Sequence, residues 1–116
     1  MSKNLIKNYI IDIWKNGNID NIRNYLSESF ISHGLISNKK IAGPDKIVEA
    51  YNNFILNNPD LKVEIIELVS ENNKASVLVK FTSDKDGQTL TAHEMIFYDI
   101  LNNRIDHAYC IGSGFK

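Results

Sequence analysis

The sequence predicts an α+β domain in which helices precede an antiparallel sheet. The spacing of apolar residues changes once, at residues 59–60, from a helical period to the alternating period of strands. Three stretches before that point carry apolar residues on one helical face, and four later runs rich in Val, Ile, Phe and Thr are joined by short polar turns. The 116 residues are expected to form a single domain over 1–116. This order of elements is typical of folds that enclose a pocket.

Three helices are predicted in the first half of the chain. The first ends at the Asn-Gly step at 16–17, because both residues tolerate the left-handed conformation of a helix C-cap. Asn18 can cap a short second helix. The third begins at the Gly-Pro-Asp step at 43–45, where proline suits the first turn and aspartate complements the positive helix end. Their apolar faces contain Leu5, Ile6, Tyr9, Ile10, Ile13 and Trp14; Ile19, Ile22, Tyr25 and Leu26; and Ile47, Val48, Tyr51, Phe54 and Ile55.

The strands are predicted from alternating residues and from their turns. A short strand over 30–33 precedes a loop, and four strands follow from residue 61 onward. Ile66 interrupts the alternation of the first of these four, which indicates a β-bulge. Polar turns at 72–73, 84–87 and 102–103 have the length of hairpin loops, so neighbouring strands are expected to be antiparallel.

The strand over 89–100 is apolar on both faces, which has a consequence for assembly. Met95 and Phe97 lie on one face, and Ile96 and Tyr98 are among the apolar residues of the other. A strand of this kind is usually covered on both sides, whereas three helices can cover only one face of a four-stranded sheet. A second copy of the chain is the commonest cover for the other face, so we expect a homodimer.

Composition excludes several classes of function. The net charge is −1 and charges of both signs are mixed along the chain, so neither nucleic acid nor membrane is expected as a partner. Lys7, Asn8 and Asp12 interrupt the N-terminal apolar residues, which predicts no leader or membrane span and therefore a cytoplasmic protein. Cys110 is the only cysteine, the three histidines are far apart, and no glycine-rich phosphate loop precedes a helix. We therefore expect neither a metal nor a cofactor.

Four stretches, in order along nearly the whole chain, carry a resemblance to a known superfamily. They are WKNGNID at 14–20, FISH at 30–33, GPDKI at 43–47 followed by NPDL at 58–61, and NRIDHAY at 103–109. The chain thereby resembles the SnoaL-like branch of the nuclear-transport-factor-2-like superfamily. The resemblance implies a cone-shaped barrel with three N-terminal helices on a curved antiparallel sheet of four strands plus a short one. It also implies an apolar pocket for a small hydrophobic ligand.

At the positions that are catalytic in two related types of enzyme, polyketide cyclases and ketosteroid isomerases, this chain has different residues. Polyketide cyclases of the SnoaL type pair a histidine with an aspartate, and the resemblance puts Ile96 and Ser113 at those places, neither of which transfers protons near neutral pH. Ketosteroid isomerases use a base before the loop and an acid in the third strand, which correspond to His33 and Glu94. Their tyrosine from the first helix has no counterpart in register, since Tyr9 is offset by about one position.

His33 and Glu94 are therefore the candidate catalytic residues. An imidazole at a pocket entrance has a pKa near ~6.5 and can remove a proton next to a carbonyl; the alternative for His33 is a loop histidine bonded to backbone beside Gly34. A carboxyl in apolar surroundings has a raised pKa and can donate a proton; the alternative for Glu94 is a lysine partner or exposure to solvent. His93 is expected on the opposite face from Glu94.

Six further residues are candidates for substrate binding. His107, Tyr109 and Ser113 share one strand face, which the resemblance turns toward the pocket, while a core wall is the alternative. The others are Trp14, Tyr51 and Phe54, on helical faces where core and pocket lining coincide. Two functions follow: an acid–base isomerase, cyclase or dehydratase acting next to a carbonyl, or a non-catalytic ligand-binding or dimerisation module.

Overall fold

The computed structural model describes residues 2–116 as helices packed on one sheet. Helix α1 (Ser2–Tyr9) continues directly into a π-helical segment (Ile10–Lys15), and a 3₁₀ helix (Ile19–Asn24) follows. Helix α2 (Pro44–Asn57) begins at the predicted proline. The strands are β1 (Leu26–Gly34), β2 (Lys40–Ala42), β3 (Lys62–Glu71), β4 (Lys74–Lys85), β5 (Gln88–Leu101) and β6 (Arg104–Gly112).

The predicted α+β class is confirmed, with six strands in the sheet in the order β2-β1-β6-β5-β4-β3. All neighbouring strands are antiparallel except β1 and β6, which are parallel. The strand predicted over 30–33 begins earlier, at Leu26, and part of the predicted loop forms β2 at the sheet edge. Both differences have the same cause: exposed strand residues are mostly polar, so the sequence shows little alternation of apolar and polar residues there.

The turns and the bulge of the second half agree with the sequence. Asp86 and Gly87 have φ angles of 53° and 76°, and Asn102 and Asn103 have φ angles of 51° and 60°. Two consecutive left-handed residues form the tight hairpin turn whose twist matches that of the strands. The β3–β4 register shifts between Ile65 and Glu67, so the predicted bulge at residue 66 is confirmed.

The helices cover one face of the sheet, which we call the inner face. Ile6 of α1 and Ile13 of the π-helical segment are completely buried against it. The alternating residues Ala75, Val77 and Val79 of β4 belong to this inner face and are also buried. The opposite, outer face is exposed to solvent and carries large apolar side chains, among them Met95, Phe97 and Ile111. The core therefore lies between helices and sheet, and the same layer contains the cavity described below.

Candidate ligand-binding cavity

A cavity of about 410 Å³ lies between the helices and the inner face of the sheet. This volume lies within the usual range of small-molecule sites, and the walls are mainly apolar and aromatic. The helices contribute Trp14, Ile47 and Phe54, and the sheet contributes Phe30, Val79, Phe81, Ala92, Ile96 and Ala108. The polar groups that line it are few, and their positions determine what the cavity can bind.

Glu94 is the carboxylate that lines the cavity within residues 2–116. Its neighbours on the inner face of β5 are Ala92 and Ile96, both buried, and desolvation in these surroundings raises the pKa of its carboxyl group. No hydrogen bond or ion pair from a described residue offsets that desolvation. Gly112 faces Glu94 across the β5–β6 pair, and a Cβ atom there would lie 3.2 Å from Glu94 Oε2. Glycine at 112 thus leaves room for the carboxyl group.

Tyr9 presents a phenolic hydroxyl to the same cavity. Trp14 Nε1 donates a hydrogen bond to the Tyr9 hydroxyl oxygen over 3.0 Å. Burial raises the pKa of Tyr9 well above its ordinary value, and the nearby charge of Glu94 contributes to that rise. The hydroxyl therefore remains protonated, and no described residue accepts its hydrogen, so it can donate to a bound ligand.

The π-helical segment that holds Trp14 is fixed by one polar cluster. Asp12 accepts hydrogen bonds from Asn18 Nδ2 at 2.7 Å, Asn21 Nδ2 at 3.1 Å and the Tyr25 hydroxyl at 2.8 Å. These bonds, that from Asn18 first, lower the pKa of the Asp12 carboxyl. The cluster joins the π-helical segment to the 3₁₀ helix and to the residues at its two ends.

Ser32 and Cys110 add two small polar groups to the cavity wall. Their side-chain oxygen and sulfur atoms lie 3.6 Å apart across the parallel β1–β6 pair. Burial raises the pKa of the Cys110 thiol to about 11, so the sulfur is a neutral thiol at physiological pH. The pair contributes weak hydrogen-bonding groups and no charge.

Glu94, Trp14 and Phe54 line the cavity, as the sequence predicts. Tyr51 instead packs behind Trp14 with ring centroids 5.3 Å apart, outside the cavity wall. Ser113 follows β6 directly and does not line the cavity; its hydroxyl oxygen accepts a hydrogen bond from the His93 backbone N–H at 3.0 Å. It therefore holds the chain that follows β6 against β5.

His33, His107 and Tyr109 lie on the outer face, which corrects the prediction that this face lines the pocket. The rings of His33 and Tyr109 are stacked with centroids 4.7 Å apart, and His33 Nε2 lies 3.1 Å from His107 Nδ1. Desolvation, and then the charges of His107 and Lys40, lower the pKa of His33. Because successive residues of a strand face opposite sides, Ser32 occupies the inward position that was predicted for His33.

The predicted pair His33 and Glu94 is therefore not assembled. The two side chains lie on opposite faces of the sheet, and the backbone layer separates them. The groups that the fold does bring together around the cavity are Glu94, Tyr9 and Trp14. Tyr9 was set aside because of its offset in register; its place on the apolar helix face next to Trp14 is the signal that identifies it.

The chain has the cone-shaped fold of proteins that resemble nuclear transport factor 2, in which a cavity lies between N-terminal helices and a mostly antiparallel sheet. The chain belongs to the SnoaL-like polyketide cyclase family, whose sequence profile matches residues 4–109. No curated protein matches the sequence.

Solved structures with the same fold include three bacterial proteins of low sequence identity. A protein described as a SnoaL-like polyketide cyclase from Jannaschia sp. CCS1 is 15% identical, with a TM-score of 0.85 over 97% of this chain and 85% of that one. A SnoaL-like polyketide cyclase from Agrobacterium tumefaciens is 14% identical, with a TM-score of 0.81 over 97% and 91%. A protein described as a ketosteroid isomerase from Kribbella flavida is 12% identical, with a TM-score of 0.83 over 97% and 78%. At these identities the likeness concerns the fold.

None of the described helices is long and apolar enough to cross a membrane. No cluster of three or more His, Cys, Asp or Glu side chains with the geometry for a metal ion occurs in the described part.

The raised pKa of Glu94 predicts how stability varies with pH. The folded state holds the Glu94 proton more tightly than the unfolded chain, so this contribution to stability is complete below the ordinary pKa of 4.5 and is lost as pH rises through the folded value. Glu94→Gln removes this dependence. Urea unfolding of both proteins between pH 4 and 8 should therefore show the variant gaining stability relative to wild type as pH rises. A difference independent of pH would contradict the desolvation of Glu94.

Proposed function

We propose that the chain binds a small, largely apolar molecule in the cavity and catalyses an acid–base reaction next to its carbonyl group, of the isomerase, cyclase or dehydratase type. The observation that carries the proposal is the Glu94 carboxyl group, desolvated in an apolar cavity without a protein partner among the described residues. A carboxyl group with a raised pKa is a stronger base than an ordinary glutamate and is closer to the pH at which it would work.

In the proposed reaction Glu94 carries the proton and Tyr9 stabilises the charge. The Glu94 carboxylate removes a proton from the carbon next to the carbonyl group, and negative charge develops on the carbonyl oxygen. The Tyr9 hydroxyl, held by Trp14, donates a hydrogen bond to that oxygen. Protonated Glu94 then returns the proton to a carbon atom of the intermediate, so that one residue acts first as base and then as acid.

The proposal is tested by hydrogen exchange on a small ketone. 2-Tetralone has acidic hydrogens next to its carbonyl group, and their replacement by deuterium in D₂O is followed by proton NMR. We expect the protein to accelerate this exchange well above the buffer rate. Exchange at the buffer rate, with 2-tetralone bound as judged by Trp14 fluorescence, would contradict the proposed chemistry.

The second candidate function is ligand binding without catalysis. The position of His33 on the outer face favours it, because Glu94 is then the only predicted catalytic residue at the cavity. Binding alone predicts that ligands change the fluorescence of Trp14, which lines the cavity, while exchange remains at the buffer rate. The two measurements on the same samples therefore distinguish the two functions.

We further propose that the chain, one domain per protomer, is a homodimer whose outer sheet faces meet. Met95 and Ile111 are about half exposed there, and Phe97 is 43% exposed. Exposed apolar side chains that are neighbours on one face favour a protein contact. Lys74 and Asp99 form an ion pair beside Phe97, so the patch carries both signs of charge and two copies would not repel each other.

Phe97→Asp is expected to separate the protomers. A carboxylate in the centre of an apolar contact loses its hydration, which should weaken the dimer by roughly 100-fold or more. Sedimentation velocity at micromolar concentration measures the change, with Leu56→Asp as the control, because Leu56 is 81% exposed on α2. A wild-type monomer, or an equally dimeric Phe97→Asp variant, would contradict this interface.

A further inference from the structure

The cavity opens to solvent where the residues that line it are exposed. Ser37 and Lys39 of the β1–β2 loop lie on one side, and Gly112 and Gly114 of the C-terminal segment lie on the other. We call this opening the rim. Tyr9 and other deeply buried residues line the closed end, so a ligand enters from the rim and extends toward the interior.

Lys39 brings a positive charge to the rim on an ordered backbone. The Gly34 backbone N–H donates to the Lys39 carbonyl oxygen at 2.8 Å, and the Lys39 N–H donates to Ser37 Oγ at 3.3 Å. Asn38, with φ of 58°, forms the turn between them. The Lys39 ammonium forms none of the ion pairs found within residues 2–116. Its charge is therefore available to a ligand.

The interior of the cavity offers an anion no comparable partner. Its walls are apolar, and Glu94, as a carboxylate, would repel a second negative charge. His93 is the other basic side chain at the cavity, and it belongs to the exposed side of β5. These positions of the charged side chains allow an amphiphile with an apolar body and an anionic end only one orientation in the cavity, with the anionic end at the rim.

We propose that Lys39 binds the carboxylate of an amphiphilic carboxylic acid whose apolar body occupies the cavity beside Glu94. This inference rests on the proposed ligand binding and adds the chemical class of the ligand and its orientation. A lysine ammonium is a mobile point charge on a flexible stem, so it can follow a carboxylate at an open rim without a fixed geometry. A pair in such an exposed place contributes modestly and is weakened by salt.

The adjacent Lys40 provides a matched control. In the β1–β2 pair Lys40 is opposite His33, and its charge helps to lower the pKa of that outer-face histidine. It does not line the cavity, whereas Lys39 does. Lys39→Gln and Lys40→Gln thus remove the same charge from neighbouring positions, and only the first change is at the rim.

The test compares a carboxylate with the corresponding alcohol. The fluorescence of Trp14 is titrated with 4-phenylbutanoate and with 4-phenylbutan-1-ol at low ionic strength, for wild type and both variants. We expect Lys39→Gln to weaken binding of the carboxylate by about 5-fold and to leave the alcohol unchanged. Lys40→Gln should bind both probes as wild type does.

Each outcome of these titrations bears on a different part of the proposal. Equal carboxylate affinity of wild type and Lys39→Gln, or an equal loss in Lys40→Gln, would overturn the role of Lys39. Binding of the alcohol without binding of the carboxylate would also overturn it, while the cavity would remain a ligand site. Failure of both probes to bind would overturn the orientation and the proposed ligand binding together.

Discussion

Replacing Glu94 by glutamine is expected to slow deuterium exchange of 2-tetralone by ~10²- to 10⁴-fold, the range that a positioned acid or base contributes. Glutamine has nearly the shape of glutamate and can still form hydrogen bonds in the cavity, but it cannot accept or return a proton. No other carboxylate of the described residues lines the cavity, so none can take over the role of Glu94. Proton NMR in D₂O measures the rate.

The control for this experiment is Glu67→Gln, a change of the same chemistry on an exposed residue of β3. It should leave the exchange rate unchanged. Trp14 fluorescence with 2-tetralone shows in parallel whether Glu94→Gln still binds the ketone, which separates lost chemistry from lost binding. An exchange rate within 2-fold of wild type in Glu94→Gln would exclude Glu94 as the proton carrier.

Phe30→Ala is expected to lower the free energy of unfolding by about 3–5 kcal/mol, the range for removing a large aromatic side chain from a core. Phe30 is 2% exposed and belongs both to the hydrophobic core and to the cavity wall. Its loss removes apolar contacts beneath α2 and joins new empty volume to the cavity. Since domains of this size are stable by only about 5–15 kcal/mol, the variant should be close to unfolding at 37 °C.

Urea unfolding followed by circular dichroism measures this loss of stability. Leu56→Ala is the control, because Leu56 is 81% exposed and its truncation should change the free energy by less than about 0.5 kcal/mol. A loss below about 1 kcal/mol for Phe30→Ala would mean that the core between β1 and the helices is packed more loosely than described.

The sequence predicted the fold well where local patterns determine it. The change of period at 59–60, the bulge at Ile66 and the hairpin turns all depend on neighbouring residues, and each has its counterpart in the sheet. The first half of β1 and all of β2 were missed, because Ser27, Glu28 and the residues of β2 are exposed or partly exposed. Pairing of an edge strand with distant residues leaves little trace in its own sequence.

The candidate site was predicted less completely, because its orientation depends on long-range register. Alternation correctly put His33 and Glu94 into strands but could not say which face of β1 meets the helices. A difference of one residue reverses every side chain, so that Ser32 and Cys110 face inward while His33 and Tyr109 face outward. The parallel pairing of β1 with β6 joins residues about 76 positions apart, which no local pattern can register.

Tyr9 was missed for a different physical reason. The helix widens into a π-helical segment immediately after it, from Ile10 to Lys15. Such a segment has i→i+5 hydrogen bonds and changes the phase of the residues that follow. The offset of about one position between Tyr9 and the tyrosine of ketosteroid isomerases therefore does not exclude Tyr9, whose hydroxyl is hydrogen-bonded to Trp14, five residues later, in the cavity.

The central claim is that Glu94 is a desolvated carboxyl group in a cavity that takes up a carbonyl compound. Carbon-13 NMR titration of the Glu94 carboxyl group tests it most directly, with Glu94→Gln used to assign the signal. We predict that the pKa of Glu94 lies above the ordinary glutamate value of 4.5, because burial raises it, and that the signal changes on addition of 2-tetralone. A Glu94 that titrates at or below 4.5 and does not respond to the ketone would contradict it.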